Sequence, residues 1–403
     1  MIKEATHYRL TTYSCFAGIF VQAVAANITP ILFIPFLRLY GFNYSQLGFL
    51  VTVNFFAQLA VDIAFSKAID HFGFRKMVLP ATLFAVAGLM LFALTPFMFK
   101  DVYTGVLLST VLFSMAAGIL EITLSPIIDA IPNTHKGPAM ALMHSFYAWG
   151  QVAVTLLTTL FIYIYGIQKW YLMVFFWSIV PLTAFVMFYY SEFPQEVHES
   201  KRIKISVLFR NKFYIVALFA IMFGGATEVT MNQWASSFME KGLELPKATG
   251  DLAGMAGFAV MLGLGRLFYG KLGAKIDLNR ILIFSSFMSL VCYLVVVFSG
   301  VIPLSVFALA ACGLFSSLLW PGTLVVTAGR FPGSGSWIFA LLAAAGDIGA
   351  GTGPWLTGAV TNRLLGYYLH YSEQTALRGG LLAAAIFPLG ALLCHIYLRK
   401  RSG

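Results

Sequence analysis

Four carboxylates interrupt long apolar runs in this chain: Asp62, Glu121, Glu228 and Asp347. A charged side chain at the centre of a hydrocarbon layer costs roughly 2.5–3.5 kcal/mol or more unless it is neutralised or faces water. Carboxylates kept in such places are candidates for reversible protonation or for holding a polar ligand. Glu121 lies in AAGILEITLSP (116–126), where Gly118, Glu121 and Ser125 share one helical face at i, i+3 and i+7. Gly118 allows a neighbouring helix to come close, and Pro126 interrupts the backbone bonding beyond it. That setting suits a group that takes up and releases a proton. The structural alternative is a protonated glutamate bonded to a neighbouring helix.

Three further stretches carry polar chemistry. In MHSFYAWGQVAVT (143–155), His144, Tyr147 and Gln151 form a polar stripe at i, i+3 and i+7. The histidine could relay protons or bond hydroxyl groups, and could equally serve as an interhelical donor. In GGATEVTMNQWASSF (224–238), Glu228 and Asn232 are one turn apart, with Gln233 and Trp234 beside them. The acid and the amide would bond the hydroxyls of a polyhydroxylated ligand, and the indole would stack on a ring. Trp234 also fits an aromatic residue of the membrane interface. Asp347 sits in LLAAAGDIGAGTGPW (341–355), whose glycines favour close packing or bending. It is expected to face a cavity or to pair with Arg266, which falls inside a span. Asp62 and Arg266 read as structural or gating charges.

The elements that must position these residues follow from composition. The 403 residues are 59% hydrophobic and 10% charged, with a mean hydropathy of +0.83. A soluble protein is about 25% charged, so a soluble, a disordered and a fibrous chain are excluded. A membrane-spanning helix takes about 20 residues. Apolar runs bounded by polar or Gly/Pro clusters predict twelve spans: 11–39, 46–68, 77–98, 102–130, 139–165, 169–190, 212–239, 248–271, 281–300, 303–328, 334–362 and 375–398. The first is too long for a signal-peptide core and is expected to be a true span. With the N-terminus inside, 18 lysines and arginines fall on the inner side and 7 on the outer, which places both termini in the cytoplasm. The net charge of +10 is then topological, drawn to an anionic inner leaflet rather than to nucleic acid. Cys15, Cys292, Cys312 and Cys394 all lie in apolar runs and read as core residues, with no metal spacing.

The polar stretch 191–211 divides the chain at its midpoint. Residues 1–190 are expected to form one six-helix bundle, 191–211 a cytoplasmic linker, and 212–403 a second bundle. The halves look like repeats. SKAIDHFGFRK (66–76) follows the second span and GKLGAKIDLNR (270–280) the eighth, each with an aspartate, Asp70 or Asp277, among basic residues. Such repeats suggest a transporter with its site near the bilayer midplane.

The 66–76 loop resembles the loop 2–3 signature of the major facilitator superfamily: glycine, any, leucine, alanine, aspartate, basic, any, glycine, arginine, basic. Asp70, Gly73, Arg75 and Lys76 match it, whereas Ser66, His71 and Phe74 depart from it. The resemblance implies an all-α membrane protein, twelve transmembrane helices in two pseudo-symmetric six-helix bundles. It also implies a gating role for Asp70, Gly73, Arg75 and Asp277, with Asp70 set against the positive end of helix 11. Gly118-x-x-Glu121 followed by Ser125-Pro126, His144 to Gly150, and Glu228 ahead of Trp234 are similar to the fucose–proton symporter-like branch. ANITPILFIP (26–35), with Asn27, looks like that branch's polar patch before a proline. Thr29-Pro30 stands where the fucose symporter has a helix 1 acid, so a two-carboxylate proton scheme lacks one member.

The resemblance thus implies a proton-coupled symporter of a sugar or similar polyhydroxylated solute, working by alternating access. Glu121, Glu228 and Asp347 are the expected proton-coupling residues. Asn27, His144, Tyr147, Gln151, Asn232 and Trp234 are the expected solute-binding residues. The proton is the coupling ion; no metal, other cofactor or nucleic-acid partner is expected, and the protein is expected to be a monomer in a bacterial inner membrane. A proton-driven exporter of amphipathic compounds is the alternative. A membrane solute receptor or enzyme is disfavoured, because no nucleophile motif, phosphate loop or output domain is visible. The topology is open to a direct check. A cysteine introduced by Ser200→Cys should react with an impermeant maleimide only after cells are opened; labelling from outside intact cells would overturn the assignment.

Overall fold

A computed structural model of the chain describes residues 8–65, 72–131, 136–194, 208–272, 277–331, 336–367 and 371–402. Among them the regular elements are helices, and no strand occurs. In chain order they are α1 Arg9–Ile31, α2 Phe33–Tyr40, α3 Tyr44–Phe65, α4 Phe74–Met98, α5 Val102–Ala130, α6 Lys136–Tyr165, α7 Trp170–Trp177 and α8 Ile179–Tyr190. The second half has α9 Lys212–Ser237, α10 Gly257–Leu272, α11 Leu278–Phe298, α12 Ile302–Ser316, α13 Leu319–Arg330, α14 Ser336–Tyr367, α15 Glu373–Ala384 and α16 Ile386–Ser402. Two wide π-helical stretches, Phe238–Gly242 and Gly250–Ala256, follow α9 and lead into α10.

These helices make the twelve expected spans, four of them in two pieces. The breaks have one cause. The four pairs are interrupted at Leu32, Ser178, Ser317 and Ala385. Pro35, Pro181 and Pro388 each stand three residues further on, and Pro321 four. A proline has no N–H to give to the carbonyl four residues back, so the chain loses one rung at each of these places. Eleven helical stretches are long and apolar enough to cross a membrane. The other span is α14, 32 residues long and rich in glycine.

Several serines and threonines carried into the spans are bonded within their own helices. Ser14, Thr82, Thr123, Ser286, Thr323 and Thr327 each give their hydroxyl proton to the carbonyl four residues back. In hydrocarbon no water is present to do so. Span starts are capped: Asp101 accepts from the N–H groups of Tyr103 and Thr104, Asn211 from Phe213, and Asp277 from Asn279 and Arg280. The Thr104 hydroxyl, 2.5 Å from Asp101, together with these N–H groups holds that carboxyl below the usual carboxylate range.

The chain forms two compact units, Met1–Phe42 with Val53–His198 and Asn43–Thr52 with Glu199–Gly403. The expected twelve-helix, all-α membrane fold is present. In the first unit α1 is the central helix, and every residue from Val21 to Ile31 is buried. It fits against α5 where Leu124 lies over Gly18, and against α6 where Gly150 meets Ala23 and Phe20. A core of α1, α4, α5 and α8 side chains, including Phe16, Met77, Leu120, Leu124 and Phe188, fills the space beside it.

In the second unit the main seam runs between α9 and α14. A Cβ at Gly349 would overlap the Met222 carbonyl, and one at Gly225 would stand 2.7 Å from the Gly346 carbonyl. Between helices that share an apolar solvent, close backbone approach of this kind supplies the attraction. The first turns of α3 belong to the same unit: Thr52 donates to the Gly351 carbonyl at 2.8 Å, and Tyr44 to Glu373 at 2.6 Å. Gly349→Ala should therefore lower stability by about 1–3 kcal/mol, the usual cost of overpacking. Gly366→Ala, where no atom lies within 4 Å, is the control. The check is the thermal-unfolding midpoint of both variants in detergent; equal midpoints would refute the seam.

Candidate functional site

In the first unit the polar residues of α5 and α6 meet. Gly118 lies over the Gln58 backbone and Val61 of α3, with 3.0 Å left to the Gln58 Cα from an added Cβ. One turn further along α5 stands Glu121, half-buried. No ion pair among the described residues includes it. One more turn on, the Ser125 hydroxyl is 3.3 Å from His144 Nε2, so the two expected stripes touch there. His144 is exposed, Tyr147 half-buried and Gln151 buried. Beside them runs a chain of amides: Gln58 donates to the Asn54 side chain at 2.7 Å, and Asn54 donates to the Ala25 carbonyl at 2.7 Å. Asn27 is fully buried and bonds the Ala23 carbonyl of its own helix at 2.9 Å. Asp62 is buried on α3, one turn from Gln58.

In the second unit the charges pair differently from one expectation. Arg266 Nη2 is 3.0 Å from Glu228 Oε1, so Arg266 pairs with Glu228 and not with Asp347. Its Nε also points to the Ser317 carbonyl at 3.4 Å, the position exposed by the break before Pro321. Glu228 Oε2 is buried with no hydrogen-bond partner among the described residues. Asn232, one turn beyond, is buried, as is Asp347.

Two tryptophans stand near these groups. Trp234 is 1% exposed; its indole N–H donates to the Pro354 carbonyl at 3.0 Å and its ring lies 5.9 Å from that of Tyr44. Trp320 is half-buried against two glycines. A Cβ at Gly225 would come within 2.9 Å of its ring, and one at Gly346 within 2.5 Å. Trp320 thus lies on the α9–α14 seam, with Glu228 one turn along α9 and Asp347 next in sequence to Gly346. Sequence reasoning passed over it. The available signal was an indole directly before a span-breaking proline, in LLWPG. It also passed over His395, buried on α16, whose two ring nitrogens meet the hydroxyls of Ser286 at 2.8 Å and Thr323 at 3.0 Å.

Of the expected gating residues, Asp70 lies outside the described residues. Gly73 sits at φ +80°, ψ 160°, a conformation that an L side chain resists. Arg75 closes the end of α8: it donates to the carbonyls of Tyr189 at 2.6 Å and Ser191 at 3.3 Å, and its guanidinium lies over the Tyr189 ring at 5.6 Å. Asp277 caps α11 and pairs with Arg280 at 3.0 Å. Among the described residues no group of three or more His, Cys, Asp or Glu is arranged to hold a metal ion.

The fold and these polar clusters can be set against known proteins. No curated protein matches the chain by sequence. Among solved structures it is similar to the D-xylose–proton symporter, with a TM-score of 0.81 at 12% identity, covering 98% of each chain. A bacterial homolog of the human lysosomal transporter Spinster, inward-facing and occupied, gives 0.77 at 12% identity over 98% of this chain and 97% of that one. The E. coli fucose:proton symporter gives 0.66 at 16% identity over 96% and 99%. At these identities the likeness is one of fold. Residues 15–260 match the family model described as the Major Facilitator Superfamily. The chain belongs to that superfamily, as a multi-pass membrane transporter and not an enzyme.

Proposed function

We propose that the protein carries a sugar or a similar small hydroxylated solute in symport with protons, by alternating access. The observation that carries this reading is Glu121: a half-buried carboxylate in an apolar span, one turn from the Ser125–His144 contact at 3.3 Å. A carboxylate there, outside every ion pair among the described residues, can cross between its two protonation states without breaking a salt bridge. Two similar folds belong to proteins named as sugar–proton symporters, one for D-xylose and one for fucose. A third belongs to a nucleoside transporter, so the fold alone does not select the solute.

Glu121 is the obligatory proton site in this reading, with Glu228 and Asp347 supporting it. His144, Tyr147 and Gln151, with Asn27, supply hydroxyl-bonding groups from the first unit. In the second unit Asn232 supplies such a group, and Trp320 offers a more open indole face than Trp234, whose N–H is given to the Pro354 carbonyl. The protein is proposed to act as a monomer in a bacterial inner membrane, with both termini in the cytoplasm.

The test is uptake into proteoliposomes over a panel of sugars, nucleosides and lipophilic cations, with and without an imposed pH gradient. Gradient-driven accumulation of a hydroxylated solute is expected. Glu121→Gln should abolish that accumulation and leave solute exchange largely intact, because the amide keeps the shape but carries no proton. Unchanged accumulation by this variant would remove Glu121 from the proposal, and transport of lipophilic cations alone would favour an exporter.

A further inference from the structure

The Glu228–Arg266 pair goes beyond what proton-linked transport of a neutral solute requires. Arg266 lies within a span, on α10, and its side chain stays 29% exposed while that of Glu228 is 12% exposed. A guanidinium has five N–H donors in a planar fork suited to two oxygens at once. Among the described residues it makes two bonds, to Glu228 Oε1 at 3.0 Å and to the Ser317 carbonyl at 3.4 Å. The fork is therefore incompletely used on its open side. Glu228 is incompletely used on its closed side, where Oε2 is buried with no hydrogen-bond partner among the described residues. A carboxylate in that position depends on the guanidinium for its charge. Take the guanidinium away, and an uncompensated buried anion is left, at a cost of several kcal/mol.

We infer that Arg266 binds the carboxylate of a small hydroxylated acid, and that Glu228 takes up a proton when the solute draws Arg266 away from it. The inference rests on the proton-linked reading above and narrows its solute to an anionic one. The balance is simple. Before binding, Glu228 carboxylate and Arg266 guanidinium cancel. After binding, the solute carboxylate cancels the guanidinium, and a proton from the aqueous side converts Glu228 to the neutral acid. The site stays neutral throughout, and one proton enters with each acid. A neutral sugar has no charge to offer Arg266 and so nothing to exchange for the ion pair.

The groups that face Glu228 permit this exchange. Arg266 comes from α10. Cys312 of α12 and Tyr293 of α11 lie close, Tyr293 being bonded to the Thr227 carbonyl at 2.9 Å. From α13 comes Trp320, uncharged, on Gly225 and Gly346. From α14 comes Asp347, buried and next to Gly346. Against α9, α16 brings Gly390 to Phe223, and its His395 is turned to Ser286 and Thr323. Arg266 is the only cation in the set, so it is the group a solute anion would compete for.

The experiment is titration calorimetry on the purified full-length protein in detergent, near neutral pH, in two buffers of different ionisation enthalpy. D-glucuronate, D-gluconate and D-lactate are the acidic probes, and D-glucose and D-xylose the neutral ones. At least one acid should bind, with about one proton taken up per molecule, and about tenfold or more tighter than either neutral sugar. Glu228→Gln should bind the same acid about tenfold tighter than the parent, with no proton uptake, because the competing carboxylate is gone. That variant must fold to give this result, so the test does not depend on Arg266→Gln, which should lose the acid. Binding of an acid by the parent without proton uptake overturns the inference, as does failure of all three acids to bind. Acid binding with proton uptake but no pH-driven transport would leave it standing and remove the reading of function. Proton-driven transport of neutral sugars with no acid binding would do the reverse.

Discussion

A polar group taken into the hydrocarbon is costly unless it finds a partner inside the protein, and much of this structure follows from that constraint. The backbone meets it by staying helical. Serine and threonine hydroxyls meet it by bonding back to their own helices, as at Ser14, Thr82, Thr123 and Thr327. Where proline removes a rung, the carbonyl left behind becomes available to something else. At Ser317 that something is the Arg266 Nε. Arg266 is thus held partly by a helix break and partly by Glu228, and the break exists because of Pro321. A local backbone defect and a functional charge are parts of one arrangement.

The same constraint explains the packing. Lipid tails are as apolar as leucine, so burying leucine between two helices gains little over leaving it in lipid. Close backbone approach gains more, and the α9–α14 seam at Gly225, Gly346, Gly349 and Gly353 achieves it. Those glycines also leave room for the Trp320 ring on the seam. A bulkier residue at 225 or 346 would occupy the indole's place. The seam therefore both holds the unit together and seats a half-buried indole against Gly225, one turn along α9 from Glu228.

Much of this was legible in the sequence because it depends on one residue at a time or on a run. The twelve spans follow from apolar length, and the close helix contact at Gly118 follows from a residue with no side chain. Helical spacing put Glu121 and Ser125 on one face, and the Ser125–His144 contact joins that face to the α6 stripe. Partner choice was not legible. Glu228 is 38 positions from Arg266, and nothing in either helix's periodicity says how it is rotated against its neighbour. Asp347 was an equally good partner on paper. The two π-helical stretches after α9 were also invisible, because they arise from tertiary packing and not from a residue type that demands them. Trp234 looked like a ligand platform by its neighbours in sequence; in three dimensions its N–H is spent on the Pro354 carbonyl and its face is covered.

Two carboxylates in apolar spans can have different work because of what stands beside them. Glu121 has no cation paired to it among the described residues, so adding or removing its proton breaks no ion pair there. Glu228 is tied to α10 through Arg266, so its proton decides whether a guanidinium is held or released. The first arrangement suits a site that carries a proton across. The second suits a site that exchanges a proton for a ligand, because the ion pair and the ligand compete for one cation. Placed in separate compact units, they would let the proton that travels and the proton that admits the solute be controlled independently. A carrier built this way needs no second acid in its first helix, where this chain has Thr29 and Pro30.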